Sequence, residues 1–385
     1  MDFLAFHGGP FFELQRRLRL LQINALSAGK RAVIFVLLAW LVPCLIALAE
    51  GHGWGPVEQR PFLRDPMTWA RFLIAIAMFI LAERAVERQL RTILKQFWNA
   101  PLLLPSSSDD AAKAVTKALA ARDSFWAEVV CALLAVIAVI TAYTLLKQAE
   151  ALSWAVVDDG QSRRLSLTAW WCLLVSTPLF WFLFLRGLWR HNVWAQLLRS
   201  LARLDLRLTA THPDGKGGLA FVGDYPNAFA MFVFGVSCVI GAVLSHQLLH
   251  ETISMTVYGS IMTAWLVIVF AFFSYPLLAF TPPLARLKQS ALLLAATQAT
   301  NFHRSAEHKL LGRNVVADDR KDDGKEEIPD PSKFYDAAKK MSAYLLNRSA
   351  LVPAAAAAVL PLAAAGATTL PYKEIFALVK KLLLL

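Results

Sequence analysis

Two histidines lie four residues apart near the end of a long apolar run, with a glutamate directly after them. His246 and His250 fall on one face of a helix because residues at this spacing lie one above the other. Such a pair can bind a metal ion or change its charge near neutral pH. Glu251 points to another side of the helix, and no third ligand is recognisable, so a metal remains unassigned. The alternative interpretation is a pair of polar residues at a membrane interface.

Three charged residues lie inside or at the edges of apolar runs. Arg71 is within one run, Glu83 ends it, and Glu128 begins the next. A charge in hydrocarbon costs free energy unless it is paired or hydrated, and such residues often mark the pathway of an ion or solute. The sequence therefore predicts pathway or pH-sensing roles here. For Arg71 the alternative is a side chain that extends to the lipid headgroups.

A short turn between two apolar runs combines glycines with polar side chains. Pro213 cannot continue the preceding helix, and glycine permits positive φ angles. Backbone N–H groups exposed in such a turn can bind an anion or contact a protein partner. The alternative is a tight connection that leads the chain back to the membrane. The candidate residues are His212, Asp214, Lys216, Gly217 and Gly218.

No known catalytic motif occurs in the chain. The sequence contains no HExxH, Gly-x-Ser-x-Gly, CxxC or phosphate-binding loop motif. It therefore predicts no catalytic residues and no cofactor, although an enzyme embedded in a membrane remains a third functional class.

The composition defines the class of protein that must position these residues. The 385 residues are 57% hydrophobic and 17% charged, with a formal net charge of +11. This balance excludes a secreted disulfide scaffold, a disordered chain and a coiled coil. All four cysteines lie in apolar runs, where a thiol behaves as a small hydrophobic group. The sequence predicts an all-α polytopic membrane helix bundle.

Seven apolar runs are candidates for membrane-spanning helices, which need about 20 residues each. The second contains Arg71, and the alanine-rich seventh could span or re-enter the membrane. We therefore predict six to seven transmembrane helices with amphipathic cytoplasmic helices between them. The runs are Ala32–Ala49, Pro66–Ala82, Val129–Leu146, Leu165–Leu185, Ala228–Leu249, Thr252–Ala285 and Ala350–Tyr372.

Prolines interrupt the last two runs. The sixth has 34 residues without a charge and would extend about 51 Å as one straight helix, so it must tilt or break. The predicted helix breaks are Pro276, Pro282, Pro353 and Pro361.

The basic residues predict the orientation. With the N-terminus in the cytoplasm, 30 of the 39 Lys and Arg residues lie on the cytoplasmic side and nine on the other. This distribution predicts a multi-pass protein of the bacterial cytoplasmic (inner) membrane, and it explains the positive charge without nucleic acid. The expected partners are the lipid bilayer, further copies of the chain in a homo-oligomer and a cytoplasmic protein.

The chain divides into four parts on this interpretation. Residues 1–31 form an amphipathic cytoplasmic segment, and residues 32–285 form a bundle of six spans with helical loops. In one such loop, apolar residues from Trp194 to Leu208 recur at helical spacing and predict a surface helix with a basic edge. Residues 286–349 form cytoplasmic helices and a charged linker, and residues 350–385 form the seventh span or a re-entrant segment with a tail.

Two short patches resemble sequences of uncharacterised multi-pass bacterial membrane proteins. They are the His212-Pro213-Asp214 turn with Gly217-Gly218-Leu219, and Pro371-Tyr372-Lys373-Glu374 near the C-terminus. The resemblance implies a membrane protein and brings no activity with it.

Two functions fit the pattern. An oligomeric channel or transporter for an ion or small solute is favoured by the proline-broken spans and by the charges at span ends. The alternative is a non-transporting membrane sensor or scaffold that binds a partner through its cytoplasmic helices.

Overall fold

A computed structural model describes most of the chain. The residues described are 6–20, 27–56, 60–148, 154–158, 163–250, 254–317, 330–346, 348–368 and 370–384. Within them the protein is an all-α helical bundle with a single antiparallel hairpin, whose strands β1 and β2 are Val156–Asp158 and Arg163–Leu165. The helices, in chain order, are α1 (Pro10–Arg17), α2 (Ala28–Val36), α3 (Val42–Ala49), α4 (Pro66–Thr68), α5 (Ile76–Asn99), α6 (Ser108–Arg122), α7 (Phe125–Gln148), α8 (Leu167–Trp171), α9 (Thr177–Ala202), α10 (Ala230–His250), α11 (Met255–Leu277), α12 (Thr281–Leu311), α13 (Ser332–Lys340), α14 (Arg348–Gly366) and α15 (Tyr372–Leu384).

Six helical stretches of the described residues are long and apolar enough to cross a membrane, which indicates an integral membrane protein. The alanine-rich seventh run is among them. Pro66–Ala82, predicted as the second span, is not. The stretches are Ala28–Ala49, Pro105–Gln148, Leu167–Ala202, Ala220–Leu248, Met255–Leu311 and Ser349–Gly366.

The helical stretch 66–99 buries one face in the bundle. Helix α5 packs against α2 on one side and against α10 and the 3₁₀ segment Ala220–Phe229 on another. Its buried face runs from Ile76 through Ile80 and Val86 to Phe97. The charged residues of α5 divide between its two faces: Glu83 and Glu87 are on the buried face, where they find protein partners, and Arg84 and Arg88 are exposed.

Three π-helical segments occur in the bundle, and the first of them packs against the other two. They are Leu37–Leu41, Trp69–Ala75 and Cys172–Ser176. A π-helical turn shifts the normal backbone hydrogen bonds and leaves carbonyl oxygens that other donors can reach. Two such oxygens are used here: the carbonyl of Leu38 accepts from the indole of Trp171 at 3.0 Å, and that of Ala39 accepts from the hydroxyl of Ser176 at 2.7 Å. These bonds fasten the first predicted span to the fourth.

The proline-rich helices follow two patterns. Pro276 lies one residue before the end of α11, a 3₁₀ turn at Leu278–Phe280 follows, and Pro282 lies in the first turn of α12. Helix α14, by contrast, continues past both Pro353 and Pro361. It packs closely on α10, where a Cβ atom at Gly241 would lie 3.0 Å from the carbonyl oxygen of Pro361.

The predicted surface helix between the fourth and fifth spans differs from the structure. Trp194 and Leu201 belong to α9, the direct continuation of the fourth span, and both are fully buried. Helix α9 ends at Ala202, because Leu206 forms a β-bridge with Leu103 and the backbone N–H of Arg207 donates to the carbonyl of Leu102 at 2.7 Å. The prediction of a helix through Leu208 is therefore too long, and the segment is largely interior.

A buried ionic network as the candidate functional site

Glu83 is at the centre of a group of buried ion pairs. Its Oε2 accepts from Nη1 of Arg31 at 2.6 Å, and its Oε1 accepts from Nη1 of Arg186 at 2.7 Å. The three side chains come from α2, α5 and α9, so the carboxylate joins three helices of the bundle. Both carboxylate oxygens therefore have a charged donor, which is the arrangement that makes a buried carboxylate tolerable.

Glu128 extends the group to α7. Its Oε1 accepts from Nε of Arg186 at 3.3 Å and lies 3.7 Å from Nη2 of Arg190. We refer to Arg31, Glu83, Glu128, Arg186 and Arg190 as the ionic network. Arg186 bridges its two carboxylates, and all five residues lie at ends of predicted spans on the side predicted to be cytoplasmic.

The ionic network is withdrawn from solvent. Arg31 and Arg186 are each 2% exposed, Glu83 is 4% exposed, and Glu128 is 6% exposed. Desolvation of paired charges offsets much of their attraction, so such a network adds little net stability. Removal of one partner, however, leaves an uncompensated charge in the interior. The five residues therefore depend on one another, and a structural change at one would be felt at the others.

The N-terminal segment, residues 6–17, lies over the ionic network. The backbone N–H of Phe11 donates to Oε2 of Glu128 at 2.7 Å, and Nε of Arg31 donates to the side chain of Gln15 at 2.5 Å. Nη2 of Arg190 donates to the carbonyl of Gly8 at 3.0 Å. The amphipathic helix α1 is thus docked on charged groups of the bundle by its first turns.

Two glycines permit this docking. Gly8 and Gly9 have φ angles of +100° and +89°, which other residues rarely adopt. A Cβ atom at Gly9 would lie 2.7 Å from Oε1 of Glu128, closer than real Cβ contacts. Pro10 then begins α1, and its missing N–H is not needed at that position. The sequence Gly8-Gly9-Pro10 therefore fits the close approach of the N-terminal segment to the ionic network.

A further carboxylate anchors the same segment. Oε2 of Glu87, one turn after Glu83 on α5, accepts from the backbone N–H of Phe6 at 3.1 Å. It also lies 2.8 Å from Nδ1 of His7, whose side chain is 25% exposed. Glu83 thus binds side chains of the bundle interior, and Glu87 binds the N-terminal segment.

A cluster of phenylalanines lies on the other side of the ionic network. Phe79 is one turn before Glu83 on α5, and its ring centroid lies 4.8 Å from that of Phe232 and 5.7 Å from that of Phe180. The Phe184 ring stacks on that of Phe232 at 5.9 Å. We call Phe79, Phe180, Phe184 and Phe232 the aromatic seal, because their rings fill the space between the helices.

Arg71 lies at the far side of the aromatic seal. Its guanidinium carbon is 5.7 Å from the ring centroid of Phe180, a cation–π distance. Phe180 also contacts Phe79, which is one turn before Glu83 on α5, so these two rings lie between Arg71 and Glu83. The structure therefore connects two of the predicted pathway residues through the aromatic seal.

Several buried donors near these residues have no hydrogen-bond partner among the described residues. They are Nε and Nη1 of Arg190 and Nε of Arg71. Buried polar groups are nearly always paired, so each exception calls for an explanation such as a bound ion or a functional strain. The network itself borders a void of about 10 Å³, between Glu83, Arg186 and Phe232, close to the volume that one water needs.

The predicted anion or partner turn has its backbone donors occupied by its own carboxylate. Asp214 accepts from the N–H groups of Lys216, Gly218 and Ala220 at 2.8, 3.1 and 3.0 Å, and Nδ1 of His212 lies 2.8 Å away. We call residues 212–220 the Asp214 turn. Burial alone would raise the pKa of Asp214, but these hydrogen bonds together hold the pKa below its ordinary value.

The Asp214 turn also binds a later part of the chain. Nζ of Lys216 donates to the carbonyls of Leu345 and Leu346, each at 3.0 Å, and the N–H of Ser342 donates to the carbonyl of Gly215 at 2.8 Å. Burial lowers the pKa of Lys216, and Asp224 and Asp214 oppose that effect. Gly217 and Gly218 have positive φ angles. The observed partner of the turn is thus the segment that precedes α14.

The histidine pair stays a prediction. His246 lies in α10, the side chain of His250 is outside the described part of the structure, and so is the whole of Glu251. Among the residues that the structure describes, no group of three or more His, Cys, Asp or Glu side chains could hold a metal ion.

Sequence reasoning singled out Glu83, Glu128 and Arg71 but missed most of their partners. Arg31 and Arg186 were counted only as basic residues that set the orientation. The available signal was spacing: Arg186 and Arg190 are four residues apart on one helix, as are Glu83 and Glu87 on another. Two helices with complementary charges on one face are expected to meet at those faces.

Comparison with known proteins gives no assignment, since no protein-family model, curated protein or solved structure matches the chain.

Proposed function

We propose that this integral membrane protein is a channel or transporter for an ion or small solute, and that its path leads from Arg71 past the aromatic seal to Glu83. The observation that carries the proposal is the buried ionic network, covered by the N-terminal segment on one side and by the aromatic seal on the other. Charged residues in the interior of a membrane bundle commonly mark such pathways.

On this proposal the structure represents the closed state of the pathway. Phenylalanine rings exclude water from a narrow passage, and hydrophobic constrictions of this kind stop ions by dewetting. The N-terminal segment closes the other side through the Phe11, Gly8 and Gln15 contacts. Opening would require the segment to leave the ionic network and the rings of the aromatic seal to separate.

The N–H groups of Arg190 and Arg71 that have no partner among the described residues favour an anion. Nε and Nη1 of Arg190 lie at the network and Nε of Arg71 lies beyond the aromatic seal, so donors are present on both sides of the constriction. Arginine presents a fork of N–H groups suited to small oxyanions and halides. Chloride and phosphate are therefore the first species to test.

Flux into liposomes tests the role of the N-terminal segment. The full chain and a variant without residues 1–17 are reconstituted separately, and chloride and phosphate uptake are measured. We expect at least about a tenfold increase for the shortened chain, because removal of a closing segment raises the population of the open state. Gln15→Ala, which removes one anchor of the segment, should give a smaller increase.

The control is Glu13→Gln, which alters only two exposed ion pairs on the same helix. Thermal unfolding of each variant in detergent shows whether the bundle remains folded. Equal uptake by the folded full-length and shortened proteins for chloride, phosphate, sodium and potassium would contradict the proposal.

The second candidate is a non-transporting sensor or scaffold, and the Asp214 turn is the observation that favours it. This turn holds the segment 341–346 through Lys216 and Gly215, so release of that segment would expose backbone groups to a partner protein. A partner that binds only after Lys216→Ala, with no flux in any variant, would favour this function.

The location and assembly follow from the same proposal. We propose a bacterial inner-membrane location, a cytoplasmic N-terminus and a homo-oligomeric state, each supported by the sequence pattern alone. The histidines His246 and His250 remain candidates for pH sensing, and replacement of both by alanine should change the pH dependence of flux if they have that role.

A further inference from the structure

An open cleft of about 820 Å³ lies where α9 ends and α11 meets α12. Its walls are formed by the last turn of α11, the 3₁₀ turn before α12, the first turns of α12, the end of α9 and the chain that follows α9. Pro282 and Pro283 begin α12 beside it, and the break between α11 and α12 opens the space. The cleft is separate from the ionic network, and none of the five network residues lines it.

The polar part of the cleft is strongly basic. Arg199, Arg203 and Arg286 line it, with Asp205 as the only acidic residue of the lining. No carboxylate among the described residues forms an ion pair with Arg203 or Arg286, and both are exposed. A second cleft of about 230 Å³ on the other side of α9 shares Arg199 and Arg203 and adds Lys117. Four cationic side chains thus surround the end of one helix.

The remaining part of the cleft is apolar and faces outwards. Tyr275, near the end of α11, and Leu278, in the 3₁₀ turn after it, are each 49% exposed and belong to a stretch apolar enough to cross a membrane. The guanidinium carbon of Arg199 lies 4.0 Å from the ring centroid of Tyr275. Tyrosine is enriched at the membrane–water interface, where its ring contacts lipid and its hydroxyl contacts water. The cleft is therefore amphiphilic, with cations next to an exposed aromatic ring.

We propose that this cleft binds the phosphate-bearing headgroup of an anionic membrane phospholipid. The phosphate would lie between Arg203 and Arg286, and the acyl chains would lie along Tyr275 and Leu278. Arginine binds phosphate oxygens with paired N–H groups, and basic pockets between membrane helices are suited to anionic headgroups. A free phosphate shares the headgroup chemistry, but it would make no use of the exposed apolar wall. This binding site does not depend on transport, and a sensor or scaffold could have it as well.

Isothermal titration of the purified full chain in neutral detergent tests the proposal. The probes are short-chain phosphatidylglycerol, which is anionic, short-chain phosphatidylcholine, which has no net charge, and inorganic phosphate. We expect phosphatidylglycerol to bind at least about tenfold more tightly than either of the others. The double variant Arg203→Gln with Arg286→Gln should bind phosphatidylglycerol at least about tenfold more weakly, because two cations near the headgroup are lost.

Arg207→Gln is the matched control, because Arg207 is an exposed arginine of the same stretch that does not line the cleft. All of these side chains are exposed, so the thermal midpoints in neutral detergent should be the same for every variant. Leu278→Ala should weaken the binding of phosphatidylglycerol and leave the binding of inorganic phosphate unchanged, because it shortens only the apolar wall.

Two results would overturn the proposal. Inorganic phosphate that binds as tightly as phosphatidylglycerol, with the same dependence on Arg203 and Arg286, would make this a site for a soluble anion. Equal binding of phosphatidylglycerol by the wild type, the double variant and the Arg207→Gln control would show that the cleft is not the binding site.

Discussion

The ionic network and the Asp214 turn provide hydrogen-bond donors to their carboxylates in opposite ways. Glu83 receives guanidinium groups from residues 52 and 103 positions away in the chain, and Glu128 receives the N–H of a residue 117 positions away. Asp214 receives three N–H groups from residues two, four and six positions away. The first arrangement exists only when the whole bundle is assembled, whereas the second is built by the turn itself.

This difference predicts how each region responds to change. A charge in the ionic network has little access to bulk water that could replace a lost partner, because its side chain is almost fully buried. The Asp214 turn is only partly buried, and water can take the place of a missing hydrogen bond there. Loss of one network residue should therefore affect the whole bundle, and loss of Asp214 should affect mainly the turn and the segment 341–346.

The largest expected effect is that of Glu83→Gln. This change leaves the charges of Arg31 and Arg186 without a central counter-charge, and breaking a buried pair costs about 3–5 kcal/mol. Urea or thermal unfolding in detergent should show a loss of that order for the whole protein. The control Glu13→Gln removes two exposed pairs within one helix and should cost less than about 1 kcal/mol. Equal effects of the two changes would contradict the distinction between the regions.

Gly9→Ala should have an intermediate effect that is confined to the N-terminal segment. The φ angle of +89° and the contact with Glu128 both oppose a side chain, and strain of this kind costs about 1–3 kcal/mol. Hydrogen exchange should become faster in residues 6–17 and remain unchanged in α10 and α14.

The matched control for that prediction is Gly29→Ala, since a Cβ atom at Gly29 would have no neighbour within 4 Å. Gly29 lies in α2, close to Arg31, so an effect of similar size there would indicate that helix α2, not the docking of the N-terminal segment, responds.

The smallest effect should come from Asp214, and it should depend on pH. The pKa of Asp214 is lowered in the folded protein, so its carboxylate stabilises the turn fully above the ordinary value of about 3.9 and ceases to do so as the pH falls through the folded value. Asp214→Asn should cost about 1–2 kcal/mol locally at pH 7, and the turn of the variant should not change on acidification. Limited proteolysis of the segment 341–346 at several pH values measures this.

The control for acidification is Asp110→Asn, which alters an exposed pair with Lys113 on α6. It should leave the proteolysis of residues 341–346 unchanged. The same acid response in wild type and Asp214→Asn would show that another group controls the turn.

The same contrast explains what could be predicted from the sequence. The all-α class and most of the apolar helices follow from composition and run length, and the Asp214 turn follows from local residues such as Pro213 and Gly217. The role of Arg31 could not be predicted, because its partner Glu83 lies 52 residues away and only the packing of α2 on α5 brings them together. The length of α9 was overestimated because the pairing of Leu206 with Leu103 is likewise a long-range contact.

The central claim is that the aromatic seal separates two sets of anion-binding donors along one path. Chloride flux in liposomes tests it most directly, in the wild type, in Phe232→Ala and in Phe232→Ala combined with Arg190→Gln. The control is Phe376→Ala, a phenylalanine that is 71% exposed. We predict an increase of at least about tenfold for Phe232→Ala, because the constriction can then hydrate, and a return towards the wild-type rate when Arg190 is also replaced. Unchanged chloride flux in folded Phe232→Ala, or an equal increase in Phe376→Ala, would contradict the account.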